Sequence, residues 1–206
     1  MVSKYLYVPN LIGYSRVILM FTAYHYAQES VIIFSICYSL SQILDMFDGM
    51  AARAFKQSTN FGAMLDMVTD RCSSTGLMLV VSHRYPELVI WCHAFIWIDI
   101  CSHWAHMLMM ERSGSKSHKL VNTGPWLLRY YYATHWFMVI LIVGTEGFPI
   151  TLYLLSFPDI LKGTFIFFKY IAYAMFPFFI TKHIINVIQF FHAAELLDSP
   201  ITIKKE

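Results

Sequence analysis

Long apolar runs, interrupted at intervals by short polar stretches, dominate this chain. A bilayer core of about 30 Å calls for roughly 20 mostly apolar residues per spanning helix. Six segments approach that length. The first covers residues 11–26 and is entered through a turn at Pro9 and Asn10. The second starts near residue 30 and runs on through 45–53, and the third covers 61–82. The fourth covers 87–110, and the fifth 128–143, its end blurred by Gly144, Gly147 and Pro149. The sixth spans 165–194 and is expected to bend at Pro177, where the ring removes a backbone donor. The apolar run 150–157 is too short to span, and reads as interfacial or as part of a long connection. The pattern predicts an all-α integral membrane protein, a bundle of about six transmembrane helices, with residues 1–206 forming a single membrane domain.

Composition agrees. Hydrophobic residues make up 57% of the 206 and charged residues only 14%, with a mean hydropathy of +0.52. That is too little charge to cover the surface of a soluble domain of this size. The formal net charge of +2, with no basic stripe, argues against a nucleic-acid binder. Cys37, Cys72, Cys92 and Cys101 form no CxxC pair and lie in apolar stretches, so they read as small buried hydrophobes. The first residues, MVSKYLYVPN, lack a compact apolar core and a small-residue cleavage site, so the first apolar segment is expected to be retained. Lys4, Arg53, Lys56, Arg112, Lys116, Lys119, Arg129, Lys204 and Lys205 gather on alternate connections and at both ends. The positive-inside rule then puts both termini, and the link after the second helix, on the cytosolic side.

That link is flanked by the least membrane-like residues of the chain. Asp45 and Asp48 are three residues apart and Asp66 and Asp70 four apart, so each pair shares one face of a helix. The polar turn between them lets the helices return antiparallel, which would bring four carboxylates together at the cytosolic end. An ionised Asp at a helix centre costs about 2.5–3.5 kcal/mol on insertion scales, and clustered anions also repel. Divalent cations relieve both penalties, and oxygen-only donors suit Mg²⁺ or Mn²⁺ rather than zinc. Two such ions a few Å apart can clamp a pyrophosphate. Gly49, Ala51 and Ala52 leave room for a ligand to approach the backbone, and Arg53 supplies a fixed planar cation for phosphate or nucleotide.

Asp45-x₂-Asp48-Gly49-x₂-Ala52-Arg53-x₈-Gly62-x₃-Asp66-x₃-Asp70 resembles the full signature of the CDP-alcohol phosphotransferases, with all eight positions at the expected spacing. The similarity extends to VPNLIGYSR before the motif, DMVTDRCSS at its end and SHK in the long loop, stretches most similar to members that use inositol as acceptor. The resemblance implies that Asp45, Asp48, Asp66 and Asp70 bind two metal ions, Mg²⁺ or Mn²⁺. It implies that Gly49, Arg53, Thr59 and Asn10 contact the head of CDP-diacylglycerol, and that Asp70 also deprotonates the acceptor hydroxyl. The implied reaction moves the phosphatidyl group to myo-inositol and releases CMP. A homodimer in the endoplasmic reticulum membrane is implied in the same way.

Weaker signals remain. Arg71 is a candidate for the acceptor pocket, or equally a counter-ion to the carboxylates. His118 and Lys119 are candidates for contact with acceptor or phosphate. Asp99, His103 and His106 have helical spacing and read as polar links between helices, or less readily as a second metal site. Glycerol 3-phosphate, serine or inositol phosphate are alternative acceptors. An acidic-gated divalent-metal transporter is the alternative from another class, but it would spread its carboxylates along a path across the membrane.

Overall fold

The computed structural model describes residues 3–112 and 124–198, so His118 and Lys119 lie outside the described residues. Among the described residues there are helices and connections but no strand. The chain forms two compact units, residues 1–83 and 84–206.

The first unit is built from α1 (Val8–Tyr26), α2 (Val31–Ala54) and most of α3 (Asn60–Arg84). Pro9 sits in the first turn of α1, where a missing N–H is harmless, and the Gln57 side chain accepts from the Val8 amide at 2.9 Å. Ser30 caps α2 by accepting from the Ile33 amide, and Thr59 Oγ1 accepts from the Gly62 amide at 3.0 Å to start α3. The turn between α2 and α3 reverses the chain in a few residues, with Lys56 in the left-handed region at φ 54°. Away from this turn the three helices pack through Tyr24, Phe34 and Tyr38, and the Tyr24 hydroxyl donates to the Ser73 carbonyl at 2.6 Å.

The second unit contains α4 (Val89–Arg112), α5 (Trp126–Ala133), α6 (His135–Leu155), the single turn α7 (Pro158–Leu161) and α8 (Phe165–Asp198). Leu128, Tyr131, Leu141 and Ile185 form one core cluster, and Ala105, Met109 and Ala193 another. A buried polar chain ties α4 to α8. Asn186 donates to Asp99 Oδ1 at 3.0 Å, Lys182 donates to Asn186 Oδ1, and Gln189 donates to the Ser102 carbonyl at 3.3 Å. Such links suit helices that pack in lipid, where apolar contact gives little preference between helix and solvent.

The fifth predicted helix differs from the observed one. The chain breaks at Thr134, which is extended, and the helix that follows runs unbroken through Gly144, Gly147 and Pro149 to Leu155. Most of the 150–157 run is therefore helix, not an interfacial connection. The glycines serve packing: a Cβ on Gly144 would lie 2.3 Å from Phe178 Cβ, so α6 and α8 approach closely there. α8 is likewise continuous through Pro177.

Among the described residues, four helical stretches are long and apolar enough to cross a membrane: Val31–Ala54, Pro86–Arg112, His135–Leu155 and Pro158–Asp198. α1 and α3, at 19 and 25 residues, have the length to span but carry Asn10, Arg16, Asp66, Asp70 and Arg71. These polar residues lower the hydropathy of both helices.

Candidate active site

Because α2 ends and α3 begins at the same turn, their two aspartate pairs face each other. Asp45 and Asp48 lie in the last three turns of α2, and Asp66 and Asp70 in the first three of α3. The sequence reading brought these four together, and the structure does the same. One oxygen each from Asp45, Asp48 and Asp66 lie within 4.8 Å of one another. Asp70 stands just outside that group.

The residue at the centre was not among the sequence candidates. Arg16, from the middle of α1, is 1% exposed. Its Nη1 lies 2.8 Å from Asp48 and 3.0 Å from Asp66, and its Nη2 lies 2.6 Å from Asp45 and 2.5 Å from Asp70. Each terminal nitrogen thus joins one carboxylate of α2 to one of α3. Ser41 fixes the Arg16 backbone from α2, its hydroxyl donating to the Arg16 carbonyl at 3.1 Å. A lone arginine within an otherwise apolar first helix was the available signal, since an ionisable residue in a span is a candidate functional residue by default.

Beside the carboxylates opens a cavity of about 180 Å³, walled by the start of α1, the end of α2, the turn, and the start of α3. Asp48 and Asp66 reach its wall, together with Asn10, Gly49, Arg53, Gln57, Thr59 and Gly62. Asn10 is buried, its amide donating to the Lys4 carbonyl at 2.7 Å, and its Oδ1 faces Gly62. A Cβ on Gly62 would lie 3.0 Å from that oxygen and 3.2 Å from Thr59 Oγ1, so glycine lets the two polar groups meet at the wall. The Arg53 guanidinium lies over Gly49, about where a side chain there would touch it at 3.5 Å. Among the described residues Arg53 engages no carboxylate. A cavity with a fixed cation on one wall and hydroxyl and amide groups on another suits an anionic, hydrogen-bonding head group.

Arg71 stands elsewhere. Its Nη2 is 4.0 Å from Asp70 Oδ2, and it is absent from the cavity wall. In the second unit, His103 Nδ1 lies 2.8 Å from the Asp99 carbonyl and 3.4 Å from its carboxylate, while His106 stacks on Tyr132. Asp99 there takes part in the link to Asn186.

The donor set fits a divalent cation. Three carboxylate oxygens converge within 4.8 Å, all hard donors of the kind Mg²⁺ and Mn²⁺ prefer. The guanidinium held among the carboxylates shows that a positive charge is accommodated at this point.

The sequence pattern of the CDP-alcohol phosphatidyltransferase family matches residues 6–156. A Drosophila melanogaster protein named CDP-diacylglycerol–inositol 3-phosphatidyltransferase is 39% identical over 189 residues, covering 90% of this chain and 82% of that protein. Proteins of the same name from Homo sapiens and Schizosaccharomyces pombe are 37% and 36% identical, covering 98% and 95% of this chain and 97% and 90% of theirs. No solved structure matches the chain significantly. Four carboxylates on facing helix ends, a cavity with an arginine on its wall, and a pattern spanning most of the sequence lead to one assignment: this chain belongs to the CDP-alcohol phosphatidyltransferase family.

Proposed function

We propose that this chain transfers the phosphatidyl group of CDP-diacylglycerol to myo-inositol, yielding phosphatidylinositol and CMP. The observation that carries the reading is the carboxylate cluster opening on a cavity walled by Asn10, Gly49, Arg53 and Thr59. The relatives' shared name supports inositol as the acceptor over glycerol 3-phosphate, serine or inositol phosphate. A transporter is disfavoured because the carboxylates gather at one end of the first unit instead of following a path.

In this reading Asp45, Asp48, Asp66 and Asp70 hold two divalent ions, Mg²⁺ or Mn²⁺. Bound there, the ions supply charge neutralisation for the pyrophosphate and for the departing CMP. Arg53 binds the donor's phosphates by its planar fork, and Asn10 and Thr59 orient the nucleotide by hydrogen bonds. Gly49 keeps the wall open where the head group lies. Asp70, with Oδ1 on Arg16 and Oδ2 4.0 Å from Arg71, takes the proton of the attacking inositol hydroxyl. The hydroxyl oxygen forms its bond to the lipid-linked phosphorus as the bond to CMP breaks. Arg71, beside Oδ2, helps hold the base in place. Loop charges support cytosolic termini, and with them delivery of inositol from the cytosol. The family resemblance supports a homodimer in the endoplasmic reticulum.

The test is incorporation of labelled inositol into lipid by the purified chain in detergent–lipid micelles with CDP-diacylglycerol. Product that requires donor and Mg²⁺ or Mn²⁺, and disappears on chelation, is expected. Transfer to another alcohol but not to inositol corrects the acceptor, and transfer to none overturns the reading.

A further inference from the structure

Four aspartates on two helices would repel one another, yet here they sit in a compact cluster. What offsets the repulsion is a side chain. The two terminal nitrogens of Arg16 carry four N–H groups, and four aspartates each place an oxygen within 3.0 Å of them. Nη1 bridges Asp48 to Asp66 and Nη2 bridges Asp45 to Asp70. The remaining N–H, on Nε, is buried without a hydrogen-bond partner among the described residues. The guanidinium is therefore committed to the carboxylates by its Nη atoms, and among the described residues no other group shares it.

We propose that Arg16 is a built-in counter-ion: it stands in for divalent metal at the four aspartates, keeps the metal-free site assembled, and limits how tightly that site takes metal. The inference rests on the metal-binding reading above. The physical argument is competition. The three aspartates whose oxygens converge for a metal ion are among the four that Arg16 already holds, so an arriving ion must compete with its contacts. A fixed positive charge a few Å away also repels a second cation in a medium that screens poorly. Arg16 thus lowers metal affinity while stabilising the empty site. A purely packing role would affect stability alike with and without metal. A counter-ion role makes metal and arginine substitutes for one another.

The experiment uses the full chain in lipid nanodiscs without either substrate. Thermal unfolding is measured in EDTA and in saturating Mn²⁺, and Mn²⁺ binding is titrated by electron paramagnetic resonance. Arg16→Gln is expected to lower the unfolding midpoint in EDTA by roughly 5–10 °C, as for a broken buried ion pair, and to regain most of it with Mn²⁺. Its Mn²⁺ dissociation constant is expected to fall by about tenfold or more. Arg16→Lys keeps the charge but not the fork, so in EDTA it should lose less than the glutamine variant, regain that loss with Mn²⁺, and stay within about threefold of the wild-type Mn²⁺ affinity. A glutamine variant with unchanged Mn²⁺ affinity, or a loss that Mn²⁺ does not recover, overturns the proposal. If the glutamine variant cannot be obtained folded, the lysine variant decides: a loss in EDTA that Mn²⁺ relieves supports the counter-ion role, and a loss unrelieved by Mn²⁺ refutes it. Absence of Mn²⁺ binding in the folded wild type would overturn the metal reading as well, whereas binding insensitive to Arg16 overturns only this inference.

Discussion

At the scale of single residues, the aspartates differ in what surrounds them. Asp48 and Asp66 reach the cavity wall, while Asp70 lies between Arg16 and Arg71. Asp70→Asn keeps the shape and most hydrogen bonds but removes the basicity. It is expected to lower kcat about 10²–10⁴-fold, the usual contribution of a general base. Turnover within twofold of the wild type would remove Asp70 from that role. Arg53 has a different task. Its guanidinium faces the cavity with no carboxylate to hold it among the described residues, so its charge is available to substrate. Arg53→Lys keeps the charge but loses the fork. KM for CDP-diacylglycerol should therefore rise about tenfold, with a smaller change in KM for inositol, measured by varying each substrate in turn.

At the scale of elements, pairing between helices decides what the sequence pattern leaves ambiguous. Gly144, Gly147 and Pro149 read as the frayed end of a helix, yet α6 continues through all three. A proline within a helix costs about 3 kcal/mol in water, but lipid leaves the backbone no better partner than the helix itself. Thr145 and Thr151 fold their hydroxyls back onto the Leu141 and Gly147 carbonyls, each at 2.7 Å. Close approach of α8 at Phe178 explains why glycine stands at 144. Gly144→Leu should destabilise the chain by about 1–3 kcal/mol through overpacking. A lowered unfolding midpoint with KM values for both substrates unchanged is the expected result. An unchanged midpoint would mean that α6 and α8 do not pack as described.

At the scale of the whole molecule, this is an integral membrane protein with many large apolar side chains on its outside. Ile18, Phe21, Ile36, Trp91, Trp97 and Phe167 are all exposed. The buried positions include polar ones instead: Asn10, Arg16 and Asp48 in the first unit, Asp99, Lys182, Asn186 and Gln189 in the second. The first set forms the candidate site, and the second joins α4 to α8. Asn186→Ala takes a donor from Asp99 and an acceptor from Lys182. It should cost about 1–3 kcal/mol of stability without altering Mn²⁺ affinity. A change in Mn²⁺ affinity would contradict the division of labour between the two polar clusters.

The sequence by itself determined the helical, membrane-embedded class, because runs of that length and apolarity have no other stable solvent. It also determined the carboxylate set, because three- and four-residue spacings put each pair on one helical face whatever the packing. Gly49, Arg53, Thr59 and Asn10 were legible through the signature and its flanks, and all four line the same cavity. Only the tertiary structure decided the rest. Arg16 is 29 residues before Asp45, and no local spacing announces that a fork from α1 will meet both pairs at once. Gln57, 49 residues on in the polar turn, meets the Val8 amide only because the fold brings the start of α1 to it. The bond across Asp99 and Asn186 joins positions 87 apart in the chain. Periodicity reports which face a residue occupies within its own helix, whereas the partner it meets depends on which helix packs against that face.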